Sequence, residues 1–170
     1  MSLGKSCENT QPFYKYLVWE LFEKKSSERI SCGDALHASI VIEAMLVYAT
    51  QKARIFTENL AAEVYGRSEL LQALEQALRR NIIIEVLTQK QPTTQEFTGI
   101  IQKDAGKLGT VKVAQTQYGK NRPENFAVMD MQAFRYVPNK EKLRGFASAN
   151  DRTSAAILDS NFTRLLTQEL

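Results

Sequence analysis

Asn125-Phe-Ala-Val-Met-Asp130, Phe134-Arg-Tyr-Val137 and Leu143-Arg-Gly-Phe-Ala-Ser-Ala-Asn150 follow one another near the end of a 170-residue chain. The first reads as a short apolar strand closed by an acid, the second as another strand, and the third as the opening of a last helix. That helix, over residues 151–169, sets Ala155, Leu158, Phe162, Leu165 and Leu166 at helical spacing behind a cap at Asn150 or Asp151.

Moving toward the N-terminus, a loop over residues 118–124 with Gly119 and Pro123 leads into this block from a strand at 111–115. Gly106 and Gly109 separate that strand from a helix at 94–103. Ile82-Ile-Ile-Glu-Val-Leu87 is a β-branched run of strand length, the pattern of a strand buried on both faces. It follows a helix through Leu70, Leu71, Leu74, Ala77 and Leu78, with Ser68 as its expected cap and Arg79-Arg80 meeting its C-terminal dipole. Ala53-Arg-Ile-Phe-Thr57 has strand character. Ser31 and Asp34 are expected to cap a helix so apolar, from Leu36 to Tyr48, that it belongs at the centre of the core. Residues 11–25 form a leading helix whose Phe13, Tyr16, Leu17, Trp19 and Phe22 suit either the chain's own core or a protein interface. Helix and strand alternate through most of the chain, so the expected fold is a single-domain α/β sandwich with a mixed central sheet flanked by helices.

A chain that is 44% hydrophobic at this length can bury one real core. Its formal charge of +3 is far from the excess that by itself announces nucleic-acid binding. With Cys7 and Cys32 the only cysteines and no signal-like opening, a disulfide framework is not expected and a reducing, cytoplasmic setting is. The longest apolar stretch, residues 35–49, is interrupted by His37, Ser39 and Glu43 and is shorter than the ~20 residues of a membrane span.

Residues 70–87, a leucine- and alanine-rich helix ending in a basic pair before an isoleucine-rich strand, together with the 125–150 block, resemble the phospholipase D superfamily. The resemblance covers residues 31–170 and leaves residues 1–30 as an N-terminal helical extension. The family signature is His-x-Lys, four residues, Asp, and later Gly-Ser-x-Asn. Counted back from Asp130, the lysine position falls on Asn125 and the histidine position on Pro123; Ala147-Ser-Ala-Asn150 matches the last element in part. The resemblance thus implies a phospholipase D-like domain without the catalytic pair. In the family a histidine attacks phosphorus and lysines steady the charge on the phosphoryl oxygens. Proline has no nucleophile, and asparagine brings hydrogen bonds without charge. In an active relative the aspartate orients the histidine; beside Pro123, Asp130 reads as a strand-end turn residue.

A degenerate groove of Asn125, Asp130, Arg144, Ser148 and Asn150 is the expected site for a phosphate or other anion. Ser148 and Asn150 also suit a purely structural strand-to-helix corner. Lys120, Arg122, Lys140 and Lys142, with Tyr118, Phe134 and Tyr136 among them, are the candidate contacts for a nucleic-acid backbone. No catalytic residue, metal or cofactor is assigned: Cys7, Cys32 and His37 lack zinc spacing, and Gly106-Lys107 fails the phosphate-loop pattern. The functional expectation is a non-catalytic binding domain, as an oligomeric scaffold or a sensor of an anionic, phosphate-containing ligand, with a homodimer implied by single-copy members of the family. A DNA- or RNA-binding accessory protein and a phosphodiesterase with non-standard catalytic residues are the alternatives.

Overall fold

The structure, a computed structural model, describes residues 11–142 and 144–170; Cys7 and Leu143 lie outside them. In chain order the elements are α1 (Gln11–Glu23), β1 (Arg29–Cys32), α2 (Ala35–Tyr48), β2 (Lys52–Thr57), α3 (Ala62–Tyr65), α4 (Ser68–Arg79), β3 (Ile83–Thr88), α5 (Gln95–Lys103), β4 (Gly109–Val113), α6 (Gln117–Lys120), β5 (Asn125–Met129), β6 (Ala133–Val137), β7 (Gly145–Ser148) and α7 (Arg152–Gln168). The strands form one seven-stranded sheet in the order β1-β7-β6-β5-β2-β3-β4. β2, β3 and β4 run parallel, as helical crossovers require, and the remaining neighbours are antiparallel. The result is the expected α/β sandwich with a mixed sheet.

Apolar spacing explains the layers. α2 is buried over nine consecutive residues, Ala38 to Leu46, and forms the centre of one face of the sheet. α4 presents Leu70, Ala73, Leu74, Ala77 and Leu78 to the same core on one helical stripe. α1 adds Tyr14, Val18 and Phe22, leaving Phe13 and Tyr16 outward. On the other face, α7 lays Ala155, Leu158, Phe162 and Leu165 on Phe56, Phe126, Val128 and Phe134. Arg54 crosses this layer: its guanidinium meets Glu85 at 3.2 Å and Asp159 at 3.3 Å and donates to Thr163 Oγ1 at 2.7 Å.

Three local expectations are corrected. Residues 145–148 pair with β6 and β1 as a strand rather than opening the last helix. Ser31 lies within β1, so Asp34 alone caps α2, accepting from His37 N at 2.7 Å. Arg67, not Ser68, is the N-cap of α4; it makes no side-chain cap bond, and the Ser68 hydroxyl is turned to Glu69. In each case an oxygen-bearing side chain resembled a helix start while backbone pairing or a nearby partner decided its role.

Candidate functional site

The parallel strands point their carboxyl ends, Thr57 and Thr88, at the edge where β5 begins, because antiparallel pairing sets Phe56 opposite Phe126. Ligands of open α/β sheets bind in the crevice outside such ends. Pro123 is exposed there and Asn125 half-buried. Gln89, which is buried, ties the edge together: its Nε2 donates to the Arg122 carbonyl at 2.9 Å and its Oε1 accepts from Lys140 Nζ. The Lys140 N–H also donates to the Pro123 carbonyl at 2.7 Å. Arg122 is held by Glu124, with Nε to Oε1 at 2.9 Å, and its guanidinium lies 5.1 Å from the centre of the Tyr118 ring. Lys90 pairs with Glu58 at 2.9 Å. A cleft of about 440 Å³ opens beside the ends of β3 and β4, lined in part by Gln89, Lys90, Lys120 and Asn121.

The five residues expected in one groove divide between the two ends of the sheet. Asn125 faces Val137 across β5 and β6, and Arg144 immediately precedes Gly145, where β7 pairs with Cys32. Ser148 instead sits opposite Phe134, and Asn150 lies beside the β5–β6 hairpin, whose Gln132 carbonyl accepts from Asp151 N at 2.8 Å. The length of β5 puts about 13 Å between the two ends. Ser148 Oγ accepts from Asn150 N at 3.3 Å, a corner bond of the structural kind.

Asp130 shares that opposite end. Its carboxylate accepts from Thr50 N at 2.8 Å, Thr50 Oγ1 at 3.0 Å, Gln51 N at 2.9 Å and Lys52 N at 2.8 Å. It pins the α2–β2 turn to the hairpin. Lys120 and Lys142 are exposed near the first end, as is Arg144.

Other groups are chemically quiet. His37 stacks on Tyr14 with centroids 3.7 Å apart, and Tyr14 donates to the Ser31 carbonyl at 3.0 Å. Burial pushes the Cys32 thiol up against the opposing pull of Arg135, so it stays protonated. Among the described residues no cluster of His, Cys, Asp and Glu could hold a metal ion, and no helix is long and apolar enough to cross a membrane.

Sequence reasoning passed over Arg135. It is 4% exposed, on the α2 side of β6, and no carboxylate among the described residues pairs with it. Its Nε and the Oδ1 of Asn125 are both buried without a hydrogen-bond partner. The alternation in Ala133-Phe-Arg-Tyr-Val137 sets Arg135 on one face with Ala133 and Val137 and Phe134 with Tyr136 on the other, and only the fold shows that both faces are covered.

No protein-family model matches the sequence, and no curated protein matches it either. In structure the chain is similar to Nuc of Salmonella typhimurium, a phospholipase D family member, with a TM-score of 0.56 and 12% identity over 84% of this chain and 97% of Nuc. NucT of Helicobacter pylori gives a TM-score of 0.59 and 12% identity over 82% of this chain and 97% of that one. The archaeal chromatin protein TrmBL2, described with a novel mode of DNA binding, gives 0.60 and 10% over 96% of this chain, which spans 64% of that protein. These likenesses define the class: the domain has a phospholipase D-like fold.

Proposed function

We propose that the domain acts by binding a phosphate-containing anion at the carboxyl edge of its sheet, without cleaving a phosphodiester. The observation that carries this reading is the start of β5. Pro123 and Asn125 stand where the family's histidine and lysine are expected, and the chain's one histidine is stacked on Tyr14 in α2. A covalent phosphohistidine has no nucleophile at this edge, whereas Lys120, Lys140, Arg122 and Arg144 supply positive charge around it. Calorimetric titration with inorganic phosphate, next to a chromogenic phosphodiester assay, tests the reading: binding without turnover is expected. Turnover that scales with protein and disappears in Asn125→Ala would overturn it.

A nucleic-acid ligand is favoured by one specific arrangement. Arg122 stacked on the partly exposed Tyr118, with Lys120 two residues along, resembles the stacking-plus-cation platforms that hold single strands. The structural likeness to a DNA-binding chromatin protein points the same way. This reading expects an affinity that falls steeply with salt and weakens in Arg122→Ala; no shift of any oligonucleotide at low salt would end it. A homodimer is proposed alongside, with Phe13 and Tyr16 the exposed aromatics on α1 available to an interface. Sedimentation showing only monomer at micromolar concentration would remove it.

A further inference from the structure

Arg135 calls for an explanation: its guanidinium reaches the Cys32 thiol, but its Nε is buried without a partner and no carboxylate among the described residues neutralises it, and taking a guanidinium out of water without a counter-ion is among the costlier things a fold can do. Its surroundings hold no counter-ion among the described residues. Ala127 lies opposite on β5 and Ala147 opposite on β7. Cys32, Tyr14 and Tyr65 are the titratable groups that feel its charge, and burial keeps all three in their neutral forms. Asp34 is occupied as the α2 cap, and the buried Glu43, whose Oε2 also lacks a hydrogen-bond partner, pairs with Lys15 at 3.3 Å and Arg67 at 3.9 Å and not with Arg135.

Asn125 is the second unexplained group. It pairs with Val137, two residues along β6 from Arg135, so the two side chains lie on one face as diagonal neighbours. Such positions are about 7 Å apart, within reach of an arginine. Arg135 Nε lacks an acceptor and Asn125 Oδ1 lacks a donor, toward the carboxyl end of the sheet, the end at which open α/β sheets take their ligands. Pro123 is exposed and Asn125 half-buried, so Asn125 sits just inside the rim and Arg135, opposite Ala127, two strand positions deeper.

We propose that Arg135 and Asn125 form the recognition pair for a phosphate that still carries a hydroxyl, either inorganic phosphate or a phosphomonoester. An anionic oxygen accepts from Arg135 Nε, and the P–OH donates to Asn125 Oδ1. A phosphodiester and a sulfate lack the hydroxyl and leave Asn125 unsatisfied. The proposal rests on the anion-binding reading above and narrows it to phosphates that keep a hydroxyl.

Thermal unfolding and calorimetry of the whole chain with inorganic phosphate and with sulfate test it, in the wild type, Arg135→Met and Asn125→Asp. Wild type should be stabilised by phosphate and much less by sulfate. Arg135→Met should melt higher than wild type without ligand, having lost the orphan charge, and should bind phosphate at least about tenfold more weakly. Asn125→Asp gives Arg135 an internal carboxylate, so it too should melt higher and reject phosphate. Two results overturn the pairing while leaving anion binding standing: undiminished phosphate affinity in Arg135→Met, or equal stabilisation by sulfate. If both variants melt lower than wild type, Arg135 is already satisfied in the fold and the proposal fails. If wild type binds neither phosphate nor sulfate, the pairing fails; loss of oligonucleotide binding as well would remove the broader reading with it.

Discussion

Replacing Asp130 with alanine should cost the fold heavily while leaving the ligand edge intact. The carboxylate receives four hydrogen bonds from Thr50, Gln51 and Lys52, so one side chain holds the turn between α2 and β2 against the β5–β6 hairpin. Bonds to a charged acceptor contribute about 1.5–3 kcal/mol each, but the donors of Thr50 and Gln51 are exposed and regain water when it is gone, leaving the part-buried Lys52 N–H as the largest loss. Asp130 also has φ of 53°, a left-handed conformation that aspartate tolerates and alanine resists at about 1 kcal/mol or more. The combined loss should be about 4 kcal/mol, since the four bonds are not additive. An asparagine side chain keeps one accepting oxygen and the left-handed tolerance, so Asp130→Asn should lose roughly half as much. Urea unfolding followed by circular dichroism and by the fluorescence of Trp19 measures both variants with the midpoint and slope separated. A loss under about 1 kcal/mol in Asp130→Ala would show that its carboxylate does not hold the turn. So would a variant that keeps its stability but loses anion binding, which would return Asp130 to the site.

Three further outcomes follow from the geometry. A Cβ on Gly145 would run into the Tyr136 carbonyl oxygen across β6, so Gly145→Ala should destabilise by about 2 kcal/mol or more and loosen β7, read as faster amide exchange in β1 and β7. For Glu169, burial raises the carboxyl's pKa, but bonds from the Thr116 hydroxyl and the Gln115 and Thr116 N–H groups outweigh it and hold it below the usual range. Its stabilisation is therefore present above the unfolded glutamate pKa and fades as pH falls through the lower folded value, so Glu169→Gln should flatten the acid limb of the stability profile. Met131, half exposed with φ of 52°, occupies the second left-handed position of the β5–β6 turn; Met131→Gly should stabilise by about 0.5 kcal/mol, after the entropy of glycine is subtracted, and no gain in melting temperature would count against strain there.

The elements with long, clean periodicities were legible in the sequence. α4 and α7 carry apolar residues at helical spacing, while α2, β2 and β3 declare themselves as apolar runs of helix or strand length. β1 and β7 were not, because Arg29-Ile-Ser-Cys32 and Gly145-Phe-Ala-Ser148 span four residues each and are strands only by pairing with each other and with β6. That non-local pairing also explains the divided site. Asn125 and Ser148 look like parts of one motif along the chain, yet the antiparallel turn-backs carry Ser148 to the far end of the sheet. Arg135 went unread for the opposite reason. A charge on an inward strand position stands out only once its neighbours are known to be Ala127, Ala147 and Cys32 rather than water.

Phosphorus NMR of a mixture of inorganic phosphate and a thymidine dinucleotide phosphodiester, with the protein added, reports binding and cleavage together. Binding without chemistry predicts that the phosphate resonance broadens with wild type and not with Arg135→Met, while no new monoester resonance grows from the dinucleotide. A monoester signal that grows in proportion to protein would contradict it, as would a phosphate line that wild type leaves unbroadened.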